Sequence, residues 1–216
     1  FDRSVSAVIS TNRAHELGTV ADNMARQSLL HSGEVQVVLV LHGLDVDEAE
    51  VRARFRDKGI DEMTVVAADA SLTLGACLNL GIDASDGAHV AKIDDDNFYG
   101  RHYLVDLVDA LEYSGAGIAG KWAHYTWLRS TGAVILRFPA SEHRFERLVQ
   151  GGRSSCAATW PATCASRTCH GRSTPTCSTG HKPPACGPTP RTASAMSAFA
   201  APIGTRTRGR SRTRPS

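Results

Sequence analysis

Downstream of Gln150 the chain contains no aspartate, no glutamate, no leucine and no valine. Residues 1–150 hold all 22 acidic residues against 14 Lys+Arg, a net of −8, whereas residues 151–216 carry ten Lys+Arg and a net of +10. The second segment also holds eight of the nine prolines, twenty Ser or Thr and a single Ile. Such a composition buries too little apolar surface to offset the entropy of ordering the backbone. A packed domain is therefore expected over residues 1–152, followed by a disordered low-complexity tail over residues 153–216.

Five of the six cysteines, Cys156, Cys164, Cys169, Cys177 and Cys186, fall in that tail. Dense cysteine points to disulfides in secreted chains or to zinc sites. Neither fits well, because there is no C-x-x-C pair, and neither a signal peptide nor an apolar run of membrane-spanning length is evident. The arginines admit a noncatalytic binding module whose basic tail contacts nucleic acid. Only Trp160 and Phe199 are available there for base stacking, and nucleic acid is the weaker reading. A shifted reading frame in GC-rich DNA explains the mixture of Arg, Pro, Ala, Thr, Ser, Gly and Cys better. Reading the third base of each codon with the first two of the next returns regular apolar spacing and frequent aspartate from Arg153 onward.

Upstream, β-rich and helical patterns alternate. "SVSAVIS" (4–10), "VQVVLVL" (35–41), "MTVVAA" (63–68) and "AHVAKI" (88–93) read as strands, the second nearly continuous and β-branched as in a parallel strand covered on both faces. Between them, 14–30, 46–58 and 71–85 have helical spacing, and a further helix over 101–114 follows the fourth strand. Ser71 or Thr73 marks the start of the third helix. "AGIAGKWAHYTWL" and "GAVILRF" (132–138) read as later strands. This order predicts an α/β fold, a mostly parallel sheet with helices on both sides. Ligands of such sheets collect beyond the carboxyl ends of the strands. Thr11–Arg13, His42–Gly43 and Asp94–Asp96 all fall at that edge.

Three consecutive aspartates, Asp94, Asp95 and Asp96, repel one another unless something compensates them. Carboxylates one residue apart can turn oxygens to the same side, and Mg²⁺ or Mn²⁺ is often held by one or two carboxylates plus substrate phosphates. A solvated acidic turn is the plainer alternative. The sequence leaves open which two of the three face inward. Lys92 suits a sheet-face ion pair, Trp122, His124, Tyr125 and Trp127 suit core packing better than an acceptor platform, and Cys77 suits an inert buried thiol.

"VSAVISTNR", "LGACLNLGIDASDGAHVAKIDDDN" and the helix that follows resemble inverting family-2 glycosyltransferases of the GT-A fold. Asn79, Gly81, Ala84, Gly87, Asp94 and Asp96 match that family's spacing, over residues 4 to about 152 in all. The resemblance implies a nucleotide-diphosphate sugar donor, an Mn²⁺ or Mg²⁺ cofactor, and a glycan, lipid-linked or small-molecule acceptor. It places Thr11 and Arg13 beside the nucleotide, with Asn79 and Asp95 in the same nucleotide-sugar set. Asp94 would face the ribose or metal, and Asp96 would be the principal metal ligand. "VLVLHG" departs from the family by placing Leu41 and His42 where acidic residues help hold the base, so His42 takes that position. The family's general base is usually an Asp or Glu beyond a strand matching Gln150–Gly152, and residues 153–216 offer none. The expected activity is a metal-dependent, inverting sugar transfer, inactive in this chain as written. A cytoplasmic location is expected, peripheral at the inner membrane surface if the acceptor is lipid-linked.

Overall fold

The computed structural model describes residues 1–146 and three further strand segments, Thr159–Pro161, Ala195–Ser197 and Gly204–Arg206. The expectations for the rest of residues 153–216, the unstructured tail and the absent base among them, lie outside the described residues.

Four strands are each followed by a helix: β1 (Val5–Thr11) by α1 (Leu17–Ala25), β2 (Val35–His42) by α2 (Glu48–Arg56), β3 (Met63–Ala68) by α3 (Leu74–Asp83), and β4 (His89–Ile93) by α4 (Tyr103–Ser114). These strands lie in the order β3-β2-β1-β4, all parallel, with Val5 opposite both Val35 and His89. Later strands are β5 (Ile118–Gly120), β6 (His124–Leu128), β7 (Ala133–Arg137) and β8 (Phe145–Glu146), and the three short segments above are β9, β10 and β11 in turn. The larger sheet continues from β4 as β9-β5-β10-β8, with β9 antiparallel to both β4 and β5. The smaller sheet is β11-β6-β7.

Alternation along β1 sorts the two faces of the sheet. Val5, Ala7 and Ile9 join Val37 and Leu39 beneath α1, α2 and α4, whose Val20, Met24, Phe55, Leu104 and Leu107 complete the main core. Val8 turns the other way with Val38 and Val90, toward α3. Gly81 allows α3 to lie that close: a Cβ there would sit 2.4 Å from Val8 Cγ1 and 3.0 Å from Val40 Cγ2. Gly87 has a comparable reason, since its Cβ would meet the Ser6 amide nitrogen at 2.7 Å. Two of the spacing-matched glycines are therefore required by backbone approach rather than by turn geometry.

The helix expected over 14–30 is broken into a 3-10 turn at Ala14–Glu16, α1, and a second 3-10 turn at Ser28–Ser32. Tertiary hydrogen bonds end α1. Gln27 Nε2 donates to the Gly100 carbonyl at 3.0 Å, Gln27 Oε1 accepts from the Leu104 amide at 3.2 Å, and the Ser28 amide donates to the Arg101 carbonyl at 2.8 Å. Of the two candidate starts for α3, Thr73 is the cap, its hydroxyl accepting from the Ala76 amide at 3.2 Å. The single run expected over 116–128 divides at Lys121–Ala123, with β5 in the larger sheet and β6 in the smaller. Among the described residues β7 is the outer strand of the smaller sheet, and all five of its residues are exposed.

Candidate functional site

β1, β2 and β4 run in the same direction, so Thr11, His42 and the aspartates that follow Ile93 emerge at one edge. Thr11 and Asp95 meet there: Thr11 Oγ1 donates to Asp95 Oδ2 at 2.6 Å and accepts from the Arg13 amide at 3.1 Å. The Arg13 guanidinium closes on the same carboxylate, Nε reaching Asp95 Oδ2 at 3.1 Å and Nη2 bonding to Asp95 Oδ1. It also touches Asp96, with Nη1 and Nη2 at 3.3 and 3.2 Å from Oδ2. The hydrogen bond to Asp95, ahead of the charges on Asp95 and Asp96, moves the Arg13 pKa further up and keeps the guanidinium charged.

The three aspartates have three environments. Asp95 is 5 % exposed and has both oxygens bonded. Asp96 is the open one, its side chain 44 % exposed and, among the described residues, hydrogen-bonded to Arg13 alone. Asp94 faces Lys92, which forms an ion pair with Oδ1, while Asn97 Nδ2 donates to Oδ2 at 3.3 Å. The Asp94 amide donates to the hydroxyl of Tyr99 at 2.8 Å, and complete burial of that ring raises the phenol pKa well above its ordinary 10.0. Asp95, the middle carboxylate, is thus the one most tightly held.

The loop carrying these carboxylates is bolted to α1 by residues that sequence reasoning missed. Asn23 Nδ2 donates to the Asn97 carbonyl at 2.7 Å, and Asn23 Oδ1 accepts from the Tyr99 amide at 3.1 Å. Asn23 and Gln27 are 2 % and 1 % exposed. The available signal was two amide side chains at i and i+4 on the apolar side of an amphipathic helix, where only a partner justifies burial.

Neither His42 nor Asn79 hydrogen-bonds to Thr11, Arg13 or the aspartates among the described residues. His42 ends β2 half-buried, and its Nε2 is enclosed with no hydrogen-bond partner among the described residues. Asp69 lies close enough for His42 to add slightly to a lowering of the Asp69 pKa caused mainly by hydrogen bonds from Ser71. Asn79 is half-buried in the middle of α3 and bonds to none of the clustered residues. Lys92 makes the ion pair expected of it, and Cys77 is a buried free thiol. Of the aromatic group, His124 is buried, Trp122 packs edge-to-face on Phe138 at 5.6 Å, and Trp127 is 38 % exposed with Arg129 above its ring.

Among the described residues no group of three or more His, Cys, Asp or Glu is arranged to hold a metal ion by itself. The chemistry of Asp94 and Asp96 nevertheless fits a hard cation. Their oxygens face the cationic groups of Lys92 and Arg13, and Mg²⁺ or Mn²⁺ commonly completes its shell with phosphate oxygens and water. Among the described residues no helix is long and apolar enough to cross a membrane.

No protein-family model matches the chain, and no curated protein matches it. Solved structures do. S. aureus TarS 1–349 in complex with UDP-GlcNAc superposes with a TM-score of 0.55 at 16 % identity, over 74 % of this chain and 46 % of TarS 1–349. The same TarS fragment in complex with UDP gives 0.51 at 15 % identity, over 74 % and 47 %. The mannosyltransferase PcManGT from Pyrobaculum calidifontis, in complex with GDP-Man and Mn²⁺, gives 0.48 at 21 % identity, over 54 % and 34 %. The chain thus spans less than half the length of each of these proteins. Taken with the parallel order β3-β2-β1-β4 and its flanking helices, the likeness to TarS gives the described part of the chain a GT-A-like glycosyltransferase fold.

Proposed function

We propose that this chain is the donor-binding part of a glycosyltransferase of hexosyl type, taking a nucleotide-diphosphate sugar with Mn²⁺ or Mg²⁺ and acting with inversion. The observation that carries this reading is the meeting of Thr11, Arg13, Asp95 and Asp96 at the carboxyl edge of a GT-A-like sheet. TarS, the neighbour with the higher TM-scores, was solved with UDP-GlcNAc and with UDP, which supports a nucleotide-sugar donor here.

In this reading Asp96, the more exposed carboxylate, would hold the cation, and Asp94, now paired with Lys92, would be the second carboxylate available to it. A cation held there would supply charge neutralisation for a departing diphosphate. Arg13 offers a planar, permanently charged fork suited to phosphate oxygens, and its position is fixed through Asp95 and Thr11. Lys92, once released from Asp94, adds a second positive charge at the same edge. Asn23 and Gln27 keep the aspartate loop from shifting when the donor enters. Inversion needs a base to take the acceptor hydroxyl proton as that oxygen attacks the anomeric carbon. The resemblance puts this base after Gly152, and residues 153–216 contain no carboxylate, so donor binding without transfer is the expected behaviour of these 216 residues.

Calorimetric titration with UDP and with GDP, in Mn²⁺ and again in excess chelator, tests the reading. Saturable, Mn²⁺-dependent binding of at least one of them, lost in Asp96→Ala, is expected. Absence of binding by both nucleotides would refute it.

A further inference from the structure

Asp95 and Asp96 hold the same guanidinium very unequally. Asp95 takes it side-on through Nε and Nη2 with both of its oxygens, from a buried position, while Thr11 fixes the carboxylate at 2.6 Å. Asp96 offers one oxygen, at 3.2 and 3.3 Å, from a side chain 44 % exposed. Paired, two-pronged contacts between arginine and a carboxylate are the strong ones, and burial strengthens them, whereas solvent weakens the exposed contact. Arg13 therefore stays with Asp95 and can yield Asp96.

We propose that Asp95 is a positioning residue that keeps Arg13 from pairing fully with Asp96. Asp96 is thereby left free to exchange the guanidinium for a divalent cation, and Arg13 is left beside it for phosphate. This rests on the reading of Asp96 as the cation's carboxylate. Asp95 itself contributes no oxygen to the cation. With a neutral amide at position 95, the nearest full negative charge for Arg13 is Asp96, and an incoming cation must displace a two-pronged guanidinium.

The test counts bound Mn²⁺ by the loss of the free-ion electron paramagnetic resonance signal, with inorganic pyrophosphate as the phosphate probe and no sugar or acceptor present. Asp95→Asn is expected to weaken Mn²⁺ binding about tenfold, the size of one displaced charge-assisted contact. Adding Arg13→Gln to Asp95→Asn is expected to recover most of that loss, because in that background the guanidinium pairs with Asp96, whereas Arg13→Gln alone removes the phosphate fork and weakens Mn²⁺ binding with pyrophosphate. Simple removal of a negative charge would instead let Arg13→Gln act by the same factor in both backgrounds, and that additivity would overturn the proposal. Should Asp95→Asn fail to fold by circular dichroism, Thr11→Val, which removes the hydroxyl that fixes Asp95, takes its place. A loss of about threefold is expected from it, and unchanged Mn²⁺ affinity counts against the proposal. Failure of the unaltered chain to bind Mn²⁺ with pyrophosphate would bring down the reading of Asp96 as well. Binding by the unaltered chain with an additive cycle brings down the role of Asp95 alone.

Discussion

Replacing Asn23 with alanine removes one side chain and leaves two buried backbone groups without partners. The Asn97 carbonyl loses its 2.7 Å bond and the Tyr99 amide its 3.1 Å bond. Asn97 is 7 % exposed and Tyr99 fully buried, so water does not readily replace what is lost. Each buried unsatisfied group costs about 1–3 kcal/mol. Alanine returns about 0.6 kcal/mol through its better helix propensity. The balance is a destabilisation of about 1.5–5 kcal/mol. Urea unfolding followed by circular dichroism at 222 nm measures it as a lower midpoint with an unchanged slope. Because the loop released is the one that carries Asp94–Asp96, Mn²⁺ binding with pyrophosphate should weaken in the same variant under native conditions. A loss below about 0.5 kcal/mol, the range of an ordinary surface change, would mean that Asn23 does not anchor the loop.

Two further outcomes follow from the packing. Gly81→Ala should cost about 1–3 kcal/mol despite its helix propensity, because the new methyl meets Val8 Cγ1 at 2.4 Å; thermal melts should show Val8→Ala restoring part of that loss. Burial raises the folded-state pKa of Tyr99, so above pH 10.0 the unfolded chain gives up a phenol proton that the folded chain keeps. The stability at stake is fully present below that pH and is lost as pH rises. The gap in unfolding midpoint between the unaltered chain and Tyr99→Phe should therefore shift against the unaltered chain between pH 9 and 11, and a constant gap would contradict the burial.

Much of the architecture was legible because the strands are written in β-branched runs. "VQVVLVL" is buried on both faces, and its pattern demands a central parallel strand. The convergence of Thr11, Arg13 and the aspartates was legible for the same reason: strand direction alone brings their loops to one edge. The ranking of the three carboxylates was not. Side-chain direction beyond the end of a strand is set by local turns and partners, here Thr11 and Arg13 for Asp95, Lys92 and Asn97 for Asp94. The end of α1 was hidden as well, because Gln27 bonds to a segment more than seventy residues away. His42 and Asn79 form no hydrogen bond with the clustered residues, because a position along the chain does not by itself fix the contact made.

β7 bears on how the molecule behaves as a colloid. Among the described residues it is an outer strand reading Ala133-Val134-Ile135-Leu136-Arg137 with every residue exposed, and an outer backbone edge of this kind is a template for another strand. One arginine is its whole electrostatic guard, with no lysine, proline or acidic residue along its length. Concentrated solutions should lose clarity through strand-to-strand accretion well before the sheet of β1 to β4 melts, and a lysine at position 135 is the smallest change that would keep copies apart.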